Sequence, residues 1–379
     1  MNRKERLQNT LAGKPVDRPA VCFYELNGLD QDPDDQREFN IFSHPSWKPA
    51  IDLAREKSDR IVLLNLPILT GKPDFDFYGE LALVEKWSSG VSQFQKTVVR
   101  GRNRTFTQLT RQDLDVFTIW ELEHLLKDVE DLKEWLNIPL NPYNNEIDTQ
   151  PMLSAEEKLG DSGIVGVDTG DPLLFAAQLF DMATFTTIAT FEPELFRQTL
   201  EKFFYWLMPQ VEMVAKAFPG KMWRIFGPEY ATPPYLNPKW FIDYVVRFNV
   251  AIVEAIHSTG GTARIHCHGK IKKVLDGILA TGCDGLDPIE PPPQGDVELA
   301  YVREQYGKHL VLFGNLEASD LENLSQDNFR KKVQRALAEG TRGSGRGFVL
   351  MPSSIPYGRV LSITALKNFE VMIEEIEKM

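Results

Sequence analysis

The stretch 262–292, TARIHCHGKIKKVLDGILATGCDGLDPIEPP, decides the fold. A β-branched run at 262–269 is followed by helix-forming residues at 270–280, and a second apolar run begins at 285. A short apolar run, a segment of helical period and another short apolar run are typical of a βαβ unit in a parallel sheet.

Short apolar runs of this kind recur eight times along the chain, and each ends in a polar or Gly/Pro cluster. From the third run onward they alternate almost without a break with helical segments. Eight such units predict an α/β fold, a (β/α)8 TIM barrel of about 250 residues, and the surplus fits an N-terminal helical extension and an insertion. The runs lie at 20–25, 60–65, 163–170, 222–229, 262–269, 285–292, 310–317 and 347–354. The clearest helices are predicted at 193–217, 238–257, 270–280, 297–306, 327–338 and 362–378.

The insertion lies between the second and third runs. Its segment 91–110, VSQFQKTVVRGRNRTFTQLT, predicts a β-hairpin with an Arg/Asn/Gly turn rather than a second domain. We therefore expect a single domain over residues 1–379. An open, doubly wound sheet is the alternative, because periodicity does not show whether a sheet closes.

The composition excludes several functional classes. Apolar residues make up 42% of the chain, and the net charge of −12 argues against a nucleic-acid partner, since phosphate binding needs clustered Lys and Arg. No uncharged apolar run of about 18 residues occurs and the N-terminal segment is charged, so we expect a cytoplasmic protein without a membrane partner. The three cysteines Cys22, Cys267 and Cys283 are expected to be reduced.

Metal-capable side chains close several predicted strands, and in a barrel of this kind the active site lies at those ends. His266 and His268 share one face of the fifth strand by alternation, while Cys267 points to the other and is expected to pack. Two imidazoles and a carboxylate are ordinary zinc ligands. Glu229 is the first choice for the third ligand and Glu290 the second. In the alternative without a metal ion, one histidine packs and the other bonds a carboxylate.

Tyr230 and Asp168 also stand at strand ends, where they could hold a small substrate. Asp171 lies beside them but is followed by Pro172, so we favour a role as a helix N-cap. The glycine-rich segment 340–348 precedes a strand, so it is interpreted as a turn and not as a phosphate-binding loop.

Four segments resemble the uroporphyrinogen decarboxylase superfamily, which includes zinc- and cobalamin-linked methyltransferases. They are RKERLQNTLAGKPVDRPAV at 3–21, GPEYATPPYLNPKWF at 227–241, HCHGKIKKVLDGILATGCDGLDPIEPPPQGDVELA at 266–300 and LFGNLEASDL at 312–321. The resemblance covers most of the chain and implies a (β/α)8 barrel. True decarboxylases of this family carry an Arg-rich loop after the first strand and an Asp closing the second. Glu25, Asn27 and Asn65 stand here instead, a site of the wrong sign for a substrate with about eight carboxylates.

The methyltransferase branch of the family binds zinc through His-x-Cys on the fifth strand and a Cys on the last strand. His266 matches the first ligand, His268 replaces the second, and Ser353 or Ser354 stands at the last position. The loss of both thiolates suits an oxygen substrate better than a thiol. Related corrinoid-dependent demethylases use His and Glu ligands, and Glu229, His266 and His268 would make a comparable set.

The resemblance implies a zinc-dependent methyltransferase that moves a methyl group between a small methylated compound and a corrinoid (cobalamin) carried by a partner protein. We predict Glu229, Tyr230, Asp168 and Glu290 as its catalytic residues. A decarboxylase acting on a tetrapyrrole or a smaller carboxylic acid is one alternative, and a non-catalytic binding barrel is another. The oligomeric state stays open, a homodimer included.

Overall fold

Eight parallel strands curl into a barrel in the computed structural model, which describes residues 1–72, 74–141 and 146–379. All eight predicted runs contain a barrel strand. The strands are β1 (Ala20–Val21), β2 (Arg60–Asn65), β3 (Ala82–Ser89), β4 (Ser92–Arg100), β5 (Thr105–Asp113), β6 (Ile119–Glu123), β7 (Gly163–Gly170), β8 (Met222–Phe226), β9 (Thr262–His266), β10 (Gly285–Asp287), β11 (Val311–Leu316) and β12 (Phe348–Pro352).

The barrel strands pair in the order β1-β12-β11-β10-β9-β8-β7-β2. The two outer members of this order meet at Asp59, whose backbone N–H donates to the Val21 carbonyl over 2.7 Å while its carboxylate accepts from the Val21 N–H over 2.8 Å. Asp59 is buried and also binds Arg6 and Arg18, so the N-terminal extension fastens this seam. The fold is therefore the predicted TIM barrel rather than an open sheet.

Helices surround the barrel. They are α1 (Arg3–Leu11), α2 (Lys48–Lys57), α3 (Val129–Trp135), α4 (Gln150–Leu159), α5 (Pro172–Gln178), α6 (Met182–Phe191), α7 (Pro193–Ala217), α8 (Arg247–His257), α9 (Leu275–Ala280), α10 (Leu299–Tyr306), α11 (Ala318–Asn323), α12 (Gln326–Gly340) and α13 (Ile363–Ile376).

The predicted helix 193–217 is confirmed residue for residue, whereas four others are shorter than predicted, two of them by five residues or more. The segment 238–246 forms a 3₁₀ turn and a π turn before α8 begins, and 270–274 is a turn before α9. Asp171 is confirmed as the N-cap of α5, since its carboxylate accepts from the Leu174 N–H over 2.8 Å. This cap fixes the chain just beyond the end of β7.

The insertion is larger than the predicted hairpin. Strands β4 and β5 form that hairpin, and β3 and β6 extend it to an antiparallel sheet of order β3-β4-β5-β6. The outer strands were missed because their apolar residues are largely exposed and lack a clean alternation, as at Leu83, Trp87 and Ile119. Residues of β3, β4 and β5 share the lining of one cavity with Phe175 and Gln178 of α5, so the sheet faces α5.

Strand β7 is buried along its whole length, as expected for a parallel strand covered on both faces. A side chain at Gly166 would place its Cβ 2.4 Å from the Met222 carbonyl oxygen, so glycine permits the close approach of β8. The three cysteines are buried and unpaired. In the described part of the chain, no single helix is long and apolar enough to cross a membrane; α5 and α6 pass that test only as a pair bent by 120°.

Candidate functional site

His266 and His268 lie side by side at the C-terminal end of the barrel. Their ring centroids are 4.5 Å apart and the ring planes are nearly perpendicular, at 86°. Strand β9 ends at His266, but the ladder continues for one more bond, from the Cys267 N–H to the Asp287 carbonyl over 2.8 Å. Cys267 accordingly packs into the hydrophobic core, as expected from the alternation of side chains.

A carboxylate holds the Nδ1 atom of each imidazole. His266 donates to Asp287 over 2.7 Å, and His268 donates to Glu290 over 2.9 Å. Glu290 also accepts from the Gly269 N–H over 2.6 Å, which fixes its orientation. Both rings therefore have a defined orientation, with a proton on Nδ1 and with Nε2 as the second nitrogen.

Opposite charges stabilise both carboxylates. Burial alone would raise the pKa of Asp287, but Arg264 and His266 lower it to about 2. The Nε of Arg264 lies 3.0 Å from Asp287 Oδ1, close enough for an ion pair although the two atoms are not aligned for a hydrogen bond. At the outer histidine, burial works against the charged form, but the hydrogen bond that His268 donates to Glu290 raises the pKa of His268.

A second ion pair lies on the neighbouring strands. Asp168 and Arg224 are opposite each other in the register of β7 and β8, and Arg224 donates to both carboxylate oxygens over 2.8 and 2.6 Å. The same guanidinium donates to the Tyr24 hydroxyl over 2.6 Å. This hydroxyl lies 3.5 Å from the His266 ring nitrogens, so it joins Arg224 to the first histidine.

A cavity of about 410 Å³ opens beside these groups. This volume suits a small organic molecule. Its polar lining includes Tyr24, Asp168, Arg224 and Arg264. Its apolar lining includes Ile61, Leu63, Leu64, Ile68, Met351 and Ile355.

Glu229 and Tyr230, two of the predicted catalytic residues, make their closest contacts outside the histidine pair. The Glu229 carboxylate accepts from the Gly227 N–H of its own turn over 3.1 Å. Tyr230 packs edge-on against Phe185 of α6, with ring centroids 5.8 Å apart, and burial raises the pKa of its hydroxyl to about 12. Like His266, His268 and Glu290, neither residue is among those that line the cavity next to Asp168.

The predicted zinc set of His266, His268 and Glu229 is therefore not assembled. Within residues 1–72, 74–141 and 146–379, no three His, Cys, Asp or Glu side chains are arranged to hold a metal ion. The two imidazoles do have the carboxylate partners that are usual around metal-binding histidines. They fit two ligand positions of a metal, whereas a third protein ligand would have to move from its present partner.

Glu317 follows β11 and lies near the outer histidine. It is buried, and its Oε1 has no hydrogen-bond partner among the described residues. Burial, together with the charge of Glu290, raises the pKa of Glu317 to about 7. Glu317 is the last residue of the predicted run 310–317, and the sequence indicated no role for it.

Two non-glycine residues of the described chain have left-handed backbone conformations, and both adjoin this site. Tyr24 has φ 56° and Ile289 has φ 59°. Tyr24 thereby presents its hydroxyl to Arg224, and Ile289 reverses the chain between Asp287 and Glu290. Strained backbone of this kind is concentrated at functional sites.

Comparison with known proteins gives the family and the fold. The family model "Uroporphyrinogen decarboxylase (URO-D)" matches residues 127–379, more than half of the chain. A solved methyltransferase from Methanosarcina mazei is 15% identical, with a TM-score of 0.59 over 100% of this chain and 99% of that one. A D-psicose 3-epimerase from Clostridium cellulolyticum H10 is 10% identical, with a TM-score of 0.37 over 62% of this chain and 84% of that one. No curated protein sequence matches the chain. By the family match, this chain belongs to the uroporphyrinogen decarboxylase family.

Proposed function

We propose that this protein is a methyltransferase that moves a methyl group between a small methylated compound and a corrinoid carried by a partner protein. Family membership and the full-length likeness in fold to a solved methyltransferase support this class of reaction. The observation that carries the proposal is the pair of carboxylate-backed imidazoles at the barrel mouth. Tyr24, which contacts His266, and Arg264, which contacts Asp287, both line a cavity of about 410 Å³.

The proposed reaction needs a proton at the demethylated atom. The bond between the methyl carbon and an oxygen or nitrogen breaks, its electron pair stays on that heteroatom, and the corrinoid of the partner supplies the nucleophile for the carbon. His268 is suited to protonate the heteroatom, because Glu290 raises its pKa and so favours the charged form. In the reverse direction the same imidazole accepts the proton.

The charge of the cavity favours a small substrate over a polycarboxylate. Arg224 is neutralised by Asp168, Arg264 lies against Asp287, and Glu25 stands 3.7 Å from Arg224. A substrate with about eight carboxylates would gain little from this lining. Decarboxylation of a smaller acid is the second candidate, because both guanidinium groups line the cavity and could hold one carboxylate.

Zinc remains a prediction of the sequence. A bound zinc ion polarises an oxygen or nitrogen as a Lewis acid. His266 and His268 would be two of its ligands, and the third would require Glu229 to leave Gly227 or Glu290 to leave His268. No step of the proposed mechanism is therefore assigned to the metal.

The test uses the purified protein with reduced, free cobalamin and a panel of methylated ethers and amines. We expect methylcobalamin, followed by its absorbance, and about a hundredfold lower kcat in His268→Gln. His257→Gln is the matched control, because His257 also bonds a carboxylate, Asp284, but at the opposite end of the barrel. Carbon dioxide release without cobalamin would favour the decarboxylase, and no turnover of any compound would favour a binding barrel.

A metal measurement accompanies the assay. Elemental analysis of protein prepared without chelator should give close to one equivalent of zinc if the sequence prediction holds, and His266→Ala and His268→Ala should both lose it. Less than about half an equivalent in the unmutated protein would contradict the zinc prediction, because structured zinc sites bind tightly. The methyl-transfer proposal would then depend on the cobalamin assay alone.

A further inference from the structure

A second cavity of about 320 Å³ lies at the N-terminal ends of the barrel strands, opposite the candidate active site. The turn that leads into β1 forms one wall and the glycine-rich segment that leads into β12 forms another. Arg303 of α10 stands between them. In the described part of the chain, this cavity shares no residue with the cavity beside Asp168.

The lining of this second cavity is basic, although the whole chain is acidic. Four of its side chains are cationic: Lys14, Arg18, Arg303 and Arg346. Among the described residues, its one acidic side chain, Asp17, is paired with Arg6 over 2.8 Å. Arg18 is paired with Asp59 over 2.9 Å and Arg346 with Asp284 over 3.1 Å. Neither Lys14 nor Arg303 has an acidic partner within ion-pair distance among residues 1–72, 74–141 and 146–379.

Arg303 is the unusual member of this set, because it is only 7% exposed. Its Nε donates to the Arg342 carbonyl over 3.0 Å, and its Nη1 donates to the Arg346 carbonyl. Burial lowers the pKa of Arg303, and no acidic group offsets that effect. A buried cation without a counter-ion is unfavourable, so an anion in the cavity would lower the free energy of the folded protein.

The glycine-rich segment brings its backbone close to this guanidinium. A side chain at Gly345 would place its Cβ 2.4 Å from the Gly307 carbonyl oxygen and 3.3 Å from Arg303 Cζ. Gly343 has φ +69°, which favours glycine as well. The glycines of this segment therefore do more than form the turn into β12. Because Gly345 has no side chain, the backbone and the Arg303 guanidinium can lie together in one wall of the cavity.

We propose that this cavity binds a phosphate group, either as inorganic phosphate or as the monoester of a small metabolite. The planar guanidinium of Arg303 matches the geometry of phosphate oxygens, and Lys14 supplies a second charge at the exposed rim. The volume is sufficient for a ligand of nucleotide size. Binding here does not compete with a substrate at the other end of the barrel, so the proposal is independent of the proposed methyl transfer.

The test is calorimetric titration and thermal unfolding of the full chain with inorganic phosphate and with adenosine monophosphate at constant ionic strength, with chloride as reference. We expect saturable binding and a phosphate-dependent rise in Tm. Lys14→Gln should weaken the affinity about tenfold or more, because it removes one charge-assisted contact from an exposed position that folding does not depend on. Lys308→Gln, an exposed lysine at the same end of the barrel outside the cavity, is the matched control and should leave the affinity unchanged.

The two probes distinguish the sources of the phosphate group. Equal binding of both indicates a site for free phosphate, and much tighter binding of the monoester indicates a phosphorylated metabolite. The proposal is overturned if chloride gives the same rise in Tm, if no saturation appears by about 10 mM of either probe, or if Lys14→Gln and Lys308→Gln change the affinity equally. Arg303→Lys adds a second variant, which keeps the charge but loses the planar fork and should bind phosphate more weakly than the unmutated protein.

Discussion

The two histidines of the candidate site are two residues apart and make the same contact, yet their surroundings differ. In the inner pair, the side chains of His266 and Asp287 are 8% and 0% exposed. In the outer pair, those of His268 and Glu290 are 38% and 9% exposed. The inner carboxylate faces Arg264, whereas the outer one accepts from a backbone N–H.

We infer from this difference that the inner histidine orients the site, whereas the outer histidine exchanges a proton. The inner imidazole lies between Asp287 and the Tyr24 hydroxyl, and the ion pair with Arg264 holds that carboxylate ionised. The outer imidazole has an exposed edge and a raised pKa. The hydrogen bond between a histidine and a carboxylate therefore does not by itself determine what the histidine does. Its burial, and the charged group that contacts the carboxylate, determine this.

The largest change in stability is expected when the inner pair is broken. Asp287→Asn removes the charge that balances Arg264, and the acceptor of the His266 hydrogen bond, in a fully buried position, so the free energy of unfolding should fall by about 3 to 5 kcal/mol. The equivalent change in the outer pair, Glu290→Gln, should cost only about 1 kcal/mol, because His268 is partly solvated. Urea denaturation at pH 7 measures both.

The ratio of the two effects is the informative quantity. Equal losses in Asp287→Asn and Glu290→Gln would show that the inner pair is no more dependent on its charge than the outer one. An exposed control, Glu322→Gln, should leave the free energy of unfolding unchanged.

Local periodicity was sufficient to predict the fold, but it indicated only some of the residues of the candidate site. The strand runs and the Asp171 cap followed from patterns within a few residues. The partners of Asp168 and His266 depend on the lateral register of β7 with β8 and of β9 with β10, which no local pattern contains. Tyr24, Arg224 and Arg264 were accordingly missed.

The contact made by Glu229 depends on a different physical feature. Its distance from the histidines depends on the turn at Gly227, where φ is 123° and a Cβ would lie 2.3 Å from Asp171 Oδ1. That turn carries the carboxylate back to its own backbone. A strand-end position therefore predicts that a side chain is near the barrel mouth, but not the direction in which it points.

A change in stability of intermediate size is expected at Glu317, which lies beside the outer pair. The pKa of Glu317 is raised from the usual 4.5 to about 7, so its contribution to stability is fully present below pH 4.5 and is lost as the pH rises through about 7. Glu317→Gln stays neutral, and its free energy of unfolding at pH 8 should exceed that of the unmutated protein by about 1 to 3 kcal/mol.

Denaturation curves at several pH values test this sign. The difference between Glu317→Gln and the unmutated protein should vanish near pH 4 and reach its full size by pH 8. A destabilised variant at pH 8 would mean that the ionised carboxylate of Glu317 is favourable, which would contradict its unpartnered, buried Oε1.

The smallest change in stability is expected at Tyr24, whose hydroxyl lies beside the inner pair. Tyr24→Phe removes one acceptor from Arg224, which keeps both bonds to Asp168, so the free energy of unfolding should fall by about 1 kcal/mol. Tyr244→Phe is the matched control, because that buried hydroxyl donates to the Ala189 carbonyl over 2.7 Å, outside the site.

Both variants should lose similar stability, but only Tyr24→Phe should also lower kcat in the cobalamin assay, because its hydroxyl lies 3.5 Å from the His266 ring. An unchanged kcat in Tyr24→Phe would mean that the inner histidine is held by Asp287 alone, and the link from Arg224 to His266 would then have no part in orienting the site.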